Sequence, residues 1–164
     1  MAATIRDVSA GDAGAICGIY NHYIEQTFIT FEETPLSVTD LGQRIAEVEA
    51  QGLPWLVAES GNDVAGYAYA GKWKGRCAYR HTVEVTVYLG QAFTGQGIGA
   101  QLYGALFDQL RDRSIHVAIG GIALPNAASV ALHEKMGMKK VAHFEQVGNK
   151  FDQWIDVGYW QATF

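Results

Sequence analysis

The feature that most constrains how this chain can fold is a glycine-rich turn between an alternating strand pattern and an amphipathic helix pattern. Polar and apolar side chains alternate over residues 82–89, which predicts a strand. Three glycines follow within residues 95–99, and apolar side chains then recur every fourth residue from Ile98 to Leu110, which predicts a helix. Such a turn gathers backbone N–H groups at the positive end of a helix dipole, where an anion such as a diphosphate binds.

The glycines alone do not identify the ligand. In a dinucleotide-binding turn the third glycine comes one residue later than here, and an acidic residue ends the next strand. The strand predicted here ends at Ile122 without one. A phosphate-binding loop of the Walker type needs Gly-Lys-Ser/Thr, which this chain lacks. A nucleotide-dependent enzyme is therefore the least favoured of the functions that this sequence allows.

The chain before the glycine turn predicts two helices and a hairpin after a short opening strand at residues 4–8. Helical spacing of apolar residues follows Asp12, a candidate N-cap, and a second helix ends near Gly52. Two alternating segments then flank residues 61–63, Gly-Asn-Asp, which is typical of a hairpin turn.

After the third helix, the patterns predict a buried strand over residues 115–122 and a helix over residues 127–136. Two strands near Phe144 and at residues 154–160 complete the chain. The order β-α-α-β-β-β-α-β-α-β-β predicts a mixed α/β fold of the α+β type, with helices on the faces of one sheet.

Composition narrows the function classes. A chain of 164 residues without internal repeats suits a single domain over residues 1–164. Its net charge of −5 argues against nucleic-acid binding. We expect a cytoplasmic protein without membrane association, because the sequence has neither a long apolar span nor a secretory signal pattern. The two cysteines and five histidines lack disulfide-framework or metal-ligand spacing, so we expect no metal.

The strand–turn–helix segment resembles the motif of the GNAT N-acetyltransferase superfamily, and the resemblance extends along the whole chain. It implies the GNAT fold, with a mostly antiparallel sheet, and acetyl-CoA as cosubstrate. Thr94 stands where the family usually has Arg or Gln, so the diphosphate contact would come from the backbone. The cofactor-binding residues that the resemblance implies are Val87, Tyr88, Leu89, Gly95, Gln96, Gly97, Ile98, Gly99, Ala100 and Asn126.

A narrower resemblance is to the phosphinothricin and methionine sulfone/sulfoximine acetyltransferase branch. It rests on residues 79–84, on the Val87-Tyr88 pair, on the spacing from Asn126 to the His-Glu pair at 133–134, and on the terminal segment 157–161. It implies acetylation of the α-amine of a small amino-acid-like acceptor. It also implies a homodimer, with the acceptor pocket completed near the dimer interface.

Acetyl transfer to an amine needs a group that removes a proton from the acceptor ammonium. Glu84 is a carboxylate inside a predicted strand, where glutamate is unfavourable, and alternation places it opposite the neighbouring valines. An exposed strand edge or a pair with Arg80 would also explain it. The family resemblance favours Glu84 as the general base.

His133 lies in the last predicted helix, where packing or capping would also account for a histidine. In many members of the family the matching position carries a tyrosine acid. The resemblance therefore implies that His133 assists proton transfer. Order and spacing do not decide which of Glu84 and His133 is the base.

A run of basic residues precedes the predicted strand at residues 82–89 in an otherwise acidic chain. Lys74, Arg76 and Arg80 are candidates to bind an acceptor carboxylate or phosphinate, although a solvated loop would have the same composition. The resemblance implies that Phe28, Phe31 and Tyr79 line the acceptor pocket, and core packing is the alternative for each.

Two other functions remain open. The same fold could acetylate another amine, although a polycationic acceptor suits a basic run poorly. A non-catalytic module could instead sense acyl-CoA, and the presence of both Glu84 and His133 argues against it.

Overall fold

The computed structural model describes residues 3–164, which form seven β-strands and four α-helices. The strands are β1 (Thr4–Asp7), β2 (Trp55–Ser60), β3 (Asp63–Lys72), β4 (Thr82–Leu89), β5 (Val117–Leu124), β6 (Lys139–Lys150) and β7 (Gln153–Thr163). The helices are α1 (Ala13–Gln26), α2 (Val38–Ala50), α3 (Ile98–Asp112) and α4 (Ala127–Lys135). The predicted element order and mixed α/β class are confirmed.

The strands form one sheet in the order β1-β2-β3-β4-β5-β7-β6. Neighbouring strands are antiparallel except β4 and β5, which are parallel and joined through α3. Their shared ladder covers only residues 82–84 of β4 and 117–119 of β5. Beyond it β4 pairs with β3, and β5 pairs with β7. The sheet is therefore open between β4 and β5 from Val85 onward.

The two faces of the sheet carry separate hydrophobic cores. On one face, Val83 and Val85 of β4 pack with the apolar stripe of α3. On the other face, α1 and α2 cover Trp55, Val57 and Tyr67. This arrangement confirms the predicted alternation, because Glu84 lies on the face opposite the valines.

Local details differ from the sequence-based expectation. Asp12 immediately precedes α1, but its carboxylate does not cap that helix. The carboxylate instead accepts hydrogen bonds from the Arg6 guanidinium at 2.8 Å and from the Ser9 N–H at 2.8 Å. Asp12 thus occupies the predicted N-cap position of α1, but its side chain does not cap the helix, because the charged guanidinium is a stronger partner than a helix N–H group.

β7 is longer than the predicted strand at residues 154–160, and β6 contains Phe144 as expected. The two strands form the edge of the sheet next to β5. β6 is the edge strand, and its register against β7 shifts between Phe144 and Gly148. β5 begins two residues later than expected, because the Ile115 N–H still bonds to the Leu110 carbonyl at the end of α3, at 3.1 Å. None of the helices within residues 3–164 is both long and apolar enough to cross a membrane.

Candidate active site

A cavity of about 260 Å³ occupies the opening between β4 and β5 and reaches both faces of the sheet. On the α3 face its lining includes Val85, Val87, Tyr103, Asn126, Ser129 and His133. On the α1 face its lining includes Ile29, Thr30, Phe31, Glu84, Thr86 and Tyr159. Both predicted catalytic residues therefore border one cavity, although they lie 49 positions apart in the chain.

The glycine turn exposes backbone donors at the start of α3. Gly95 and Gly97 adopt positive φ angles of 73° and 79°, which other residues rarely adopt. The bond from the Gln101 N–H to the Gly97 carbonyl, at 3.2 Å, belongs to the first helical turn. The N–H groups of residues 98–100 precede it, so they can bind an anion at the positive end of the helix.

Side chains around this turn are directed back to the loop itself. The Thr94 hydroxyl donates to the Gln91 carbonyl at 3.2 Å, and the Gln96 amide donates to the Ala92 carbonyl at 3.0 Å. Backbone groups consequently remain as the anion donors of the turn. The departure at Thr94 from the usual Arg or Gln leaves this backbone arrangement intact.

The free edge of β4 leads from the cavity to the glycine turn. Val87 and Tyr88 line the cavity, and Leu89 follows them at the end of the strand. The Leu89 carbonyl accepts a hydrogen bond from the Tyr23 hydroxyl. An extended ligand can pair with such an edge as an added strand would. Across the opening, the Asn126 side chain caps α4 by accepting from the Ser129 N–H at 3.1 Å.

Glu84 is half-buried and points into the cavity from the centre of the sheet. Burial raises the pKa of its carboxyl, and the positive charge of Lys74 partly opposes that rise. Within residues 3–164 Glu84 forms no salt bridge. The Arg80 guanidinium donates instead to the Cys77 carbonyl at 3.1 Å, so the alternative of a Glu84–Arg80 pair is not observed. A carboxylate with a raised pKa is a stronger base near neutral pH.

His133 is buried and held at both ring nitrogens. Its Nδ1 lies 2.7 Å from the Ser129 carbonyl, which can only accept, so Nδ1 carries the proton. Its Nε2 lies 3.1 Å from the Tyr103 hydroxyl and accepts from it. Burial lowers the pKa of His133, which favours the neutral ring. A Cβ at Gly120 would lie 2.6 Å from Nε2, so this glycine gives the imidazole its space.

Tyr103 is one of the cavity residues that the sequence analysis did not predict, and it contacts His133. It belongs to the buried face of α3, where a helical pattern predicts core packing, and it is 1% exposed. Its hydroxyl nevertheless reaches the cavity beside His133. One feature of the sequence could have pointed to Tyr103. A tyrosine on the buried face of a helix usually needs a hydrogen-bond partner for its hydroxyl, so a polar neighbour was to be expected.

Ile29–Phe31, in the connection between α1 and α2, border the cavity on the α1 face. We call this segment the acceptor wall, after the acceptor pocket that the family resemblance implies. Of the five predicted substrate residues, Phe31 lines the cavity. Phe28 is half-buried outside the lining. Lys74, Arg76 and Tyr79 are exposed in the connection between β3 and β4, also outside the lining.

The connection between β3 and β4 nevertheless contacts the cavity lining through an aromatic pair. The Lys74 Nζ lies 5.0 Å from the centre of the Trp73 ring. Trp73 in turn packs edge-on against Tyr159, with ring centres 5.7 Å apart. The ring of Tyr159 packs over Gly121 of β5, where a Cβ would lie 3.0 Å from the ring. Over the described part of the chain, no group of three or more His, Cys, Asp or Glu residues could hold a metal.

Comparisons with known proteins agree with this architecture. A family model described as an acetyltransferase (GNAT) domain matches residues 5–158. A phosphinothricin N-acetyltransferase of Streptomyces viridochromogenes is 39% identical over 98% of this chain and 87% of its own length. An L-methionine sulfoximine/L-methionine sulfone acetyltransferase of Pseudomonas paraeruginosa is 38% identical over 99% of this chain and 95% of its own.

The solved structures include a close match to the fold. A phosphinothricin acetyltransferase from Sinorhizobium meliloti, crystallised with acetyl-CoA, superimposes with a TM-score of 0.97 and 32% identity. The match covers 100% of this chain and 89% of that one. With the family model and two full-length relatives above 30% identity, the chain belongs to the GNAT acetyltransferase family.

Proposed function

We propose that this protein is an acetyl-CoA-dependent N-acetyltransferase that acetylates the α-amine of a small amino-acid-like compound. Acceptors of the phosphinothricin, methionine sulfoximine and methionine sulfone type are the expected class, since two relatives are named for them. One observation carries the proposal: Glu84, with its raised pKa, lines a cavity bounded by the free edge of β4, and that edge leads to the glycine turn.

The residues of this chain fit acetyl-CoA in extended form. The β4 edge at residues 87–89 offers main-chain groups to the pantetheine amides, and Asn126 faces them across the opening. The backbone N–H groups of residues 95–100 suit the diphosphate, because two positive-φ glycines leave that surface free of Cβ atoms. Bound in this way, acetyl-CoA would supply the thioester that is attacked.

Glu84 is the general base of the proposed reaction. It removes a proton from the acceptor ammonium, and the freed amine nitrogen attacks the thioester carbonyl carbon. The new C–N bond forms as the C–S bond breaks, and the second proton that the attacking nitrogen loses passes to the departing sulfur, giving the amide and the free thiol. His133 assists through Tyr103: because its Nε2 accepts the Tyr103 O–H, the hydroxyl oxygen keeps a free lone pair that can accept a hydrogen bond from the acceptor amine.

The acceptor carboxylate or phosphinate meets the basic connection between β3 and β4 in this proposal. The positive charge of Lys74 opposes the rise in the pKa of Glu84, so Lys74 acts on the cavity although it lies outside the lining. Arg76 and Arg80 add positive charge to the same segment. Phe28, Phe31 and Tyr79 would enclose the acceptor side chain as apolar walls.

We also propose a homodimer formed through the β6–β7 edge of the sheet. Five large apolar side chains of this edge are at least half exposed, and Trp154 is 67% exposed. Single exposed apolar residues are ordinary, whereas a group of them near the free edge of a sheet indicates an interface. These residues are Val141, Phe144, Val147, Phe151 and Trp154.

The test is a thiol-release assay with acetyl-CoA and a panel of amines. We expect the highest kcat/KM for phosphinothricin, methionine sulfoximine or methionine sulfone, with glutamate and methionine below them. A polyamine and a reaction without acceptor are the controls. Fastest turnover of the polyamine would contradict the acceptor class. Binding of acetyl-CoA without thiol release for any amine would favour a sensing module.

A further inference from the structure

Lys150, at the end of β6, is a buried cation that the proposed chemistry does not use. It is 2% exposed, and an ammonium loses strong hydration when it is buried. Its Nζ donates to the Thr30 main-chain carbonyl at 2.8 Å, across 120 positions of the sequence. The ring of Phe151 lies 5.2 Å from the same Nζ. The charge of Lys150 is thus directed at the backbone of the acceptor wall.

A second contact from β6 reaches the next residue of the wall. The Phe31 ring lies directly over Gly148, where a Cβ would be 2.4 Å from two ring carbons. Phe31 borders the cavity, so the position of its ring sets part of the space for an acceptor. Gly148 therefore determines how closely this ring can approach the sheet.

The opposite side of the wall is held from α1. The Tyr20 hydroxyl lies 2.8 Å from Thr30 Oγ1 and also contacts the Glu32 carboxylate. Arg44 of α2 pairs with Glu32 at 2.6 Å, so that carboxylate already has a cationic partner. Thr30 is consequently fixed by its side chain from α1 and by its carbonyl from β6.

We infer that Lys150 and Gly148 of β6 are positioning residues that set the distance between the acceptor wall and Glu84. The inference rests on the proposed function, because it assigns the wall to acceptor binding. It makes the edge strand of the sheet a determinant of acceptor affinity, although Lys150 and Gly148 lie outside the cavity lining. Displacing the wall weakens acceptor binding and leaves the coenzyme surfaces of β4 and α3 unchanged.

Two variants test this inference by independent contacts. Lys150→Met removes the charge and the bond to Thr30 but keeps an unbranched apolar stem of similar length. Gly148→Ala pushes the Phe31 ring away without changing any charge. We expect each to raise the acceptor KM about tenfold, since ångström-scale misplacement has effects of that order or larger. The acetyl-CoA KM should stay within about twofold of the wild type, because the wall is separate from the coenzyme surfaces.

Matched controls separate positioning from general damage. Lys139→Met removes an exposed lysine from the same strand, and Gly42→Ala adds a methyl group where a Cβ meets nothing within 4 Å. Both should leave the acceptor KM unchanged. A purely structural role would lower the fraction of active enzyme, and hence kcat, without changing either KM.

The inference and the proposed function fail separately. A folded Lys150→Met or Gly148→Ala protein whose acceptor KM stays within about twofold of the wild type would overturn the inference. If the wild type acetylates no acceptor, hydrogen exchange of the amides in residues 29–33 replaces the KM as the measurement. Faster exchange in Lys150→Met then supports the positioning contact, and unchanged exchange overturns it.

Discussion

The proposed coenzyme side of the cleft and the acceptor side are built in different ways. The coenzyme side is one continuous stretch, residues 85–100, completed by the start of α4. The acceptor side combines the wall at residues 29–31 with Glu84, Tyr159 and the end of β6. One side presents main-chain groups from local structure, and the other presents side chains held by long-range contacts. Perturbations of the two sides should therefore affect different substrates.

The largest effect is expected where the two sides meet, at Glu84. Replacing it with Gln should lower kcat/KM about 100-fold or more, because the amide cannot accept the proton of the acceptor ammonium. Both KM values should change much less than kcat. Steady-state kinetics at neutral pH measure this, with Glu47→Gln on the exposed surface of α2 as the control. A loss of less than about threefold would remove Glu84 from the role of base.

A change in the glycine turn should affect the coenzyme alone. Gly97→Ala places a Cβ on a residue with a φ of 79°, which costs about 1–2 kcal/mol and displaces the turn. We expect the acetyl-CoA KM to rise about tenfold with the acceptor KM unchanged. Gly61→Ala is the matched control, because its φ of 63° gives similar strain in the β2–β3 turn. Equal rises in both KM values would contradict the separation of the two sides.

The Tyr103–His133 pair should contribute to turnover on a smaller scale. Tyr103→Phe removes only the hydroxyl that His133 orients, and loss of one hydrogen bond predicts a fall in kcat of about fivefold. His133→Phe should lower kcat similarly, and the double variant should be no worse than either single one. Tyr67→Phe, which removes a buried hydroxyl outside the cavity lining, is the control. Additive losses would show that the two residues act separately.

The smallest effect concerns the pH dependence of kcat/KM. Because burial raises the pKa of Glu84, the rate should fall with decreasing pH at a midpoint above the usual carboxyl range. Lys74 favours the ionised carboxylate, so Lys74→Met should move that midpoint to higher pH by less than about one unit. Rate profiles between pH 4 and about 8 measure the shift. Lys139→Met should leave the midpoint in place, and a shift toward lower pH for Lys74→Met would contradict the assignment.

Periodicity was sufficient to predict most of the fold. Alternation along β4 assigned Glu84 to the face opposite the valines, and the apolar stripe of α3 identified the helix after the glycines. These patterns act between residues a few positions apart, so the local sequence carries them. The pattern placed Asp12 at the start of α1 correctly, but it could not show that the carboxylate pairs with Arg6 and leaves the helix uncapped by that side chain.

The same difference between local patterns and long-range contacts applies to the candidate site. Sequence resemblance identified Glu84, His133 and the glycine turn, and the structure brings the first two to one cavity. It did not identify Tyr103, whose hydroxyl matters only because α4 places His133 beside it. Nor did it identify the contacts that hold the acceptor wall. No local pattern shows that the glycines at 120 and 121 leave space for the rings of His133 and Tyr159.

The sequence by itself determined the order of the elements, the alternation of β4 and the backbone donors at the start of α3, because each depends on neighbouring residues. Only the tertiary structure decided which distant groups meet: Tyr103 with His133, and Lys150 with Thr30. Those contacts join residues up to 120 positions apart in the chain. They depend on how the sheet opens between β4 and β5 and on where the end of the edge strand β6 lies against the α1–α2 connection, which no local pattern encodes.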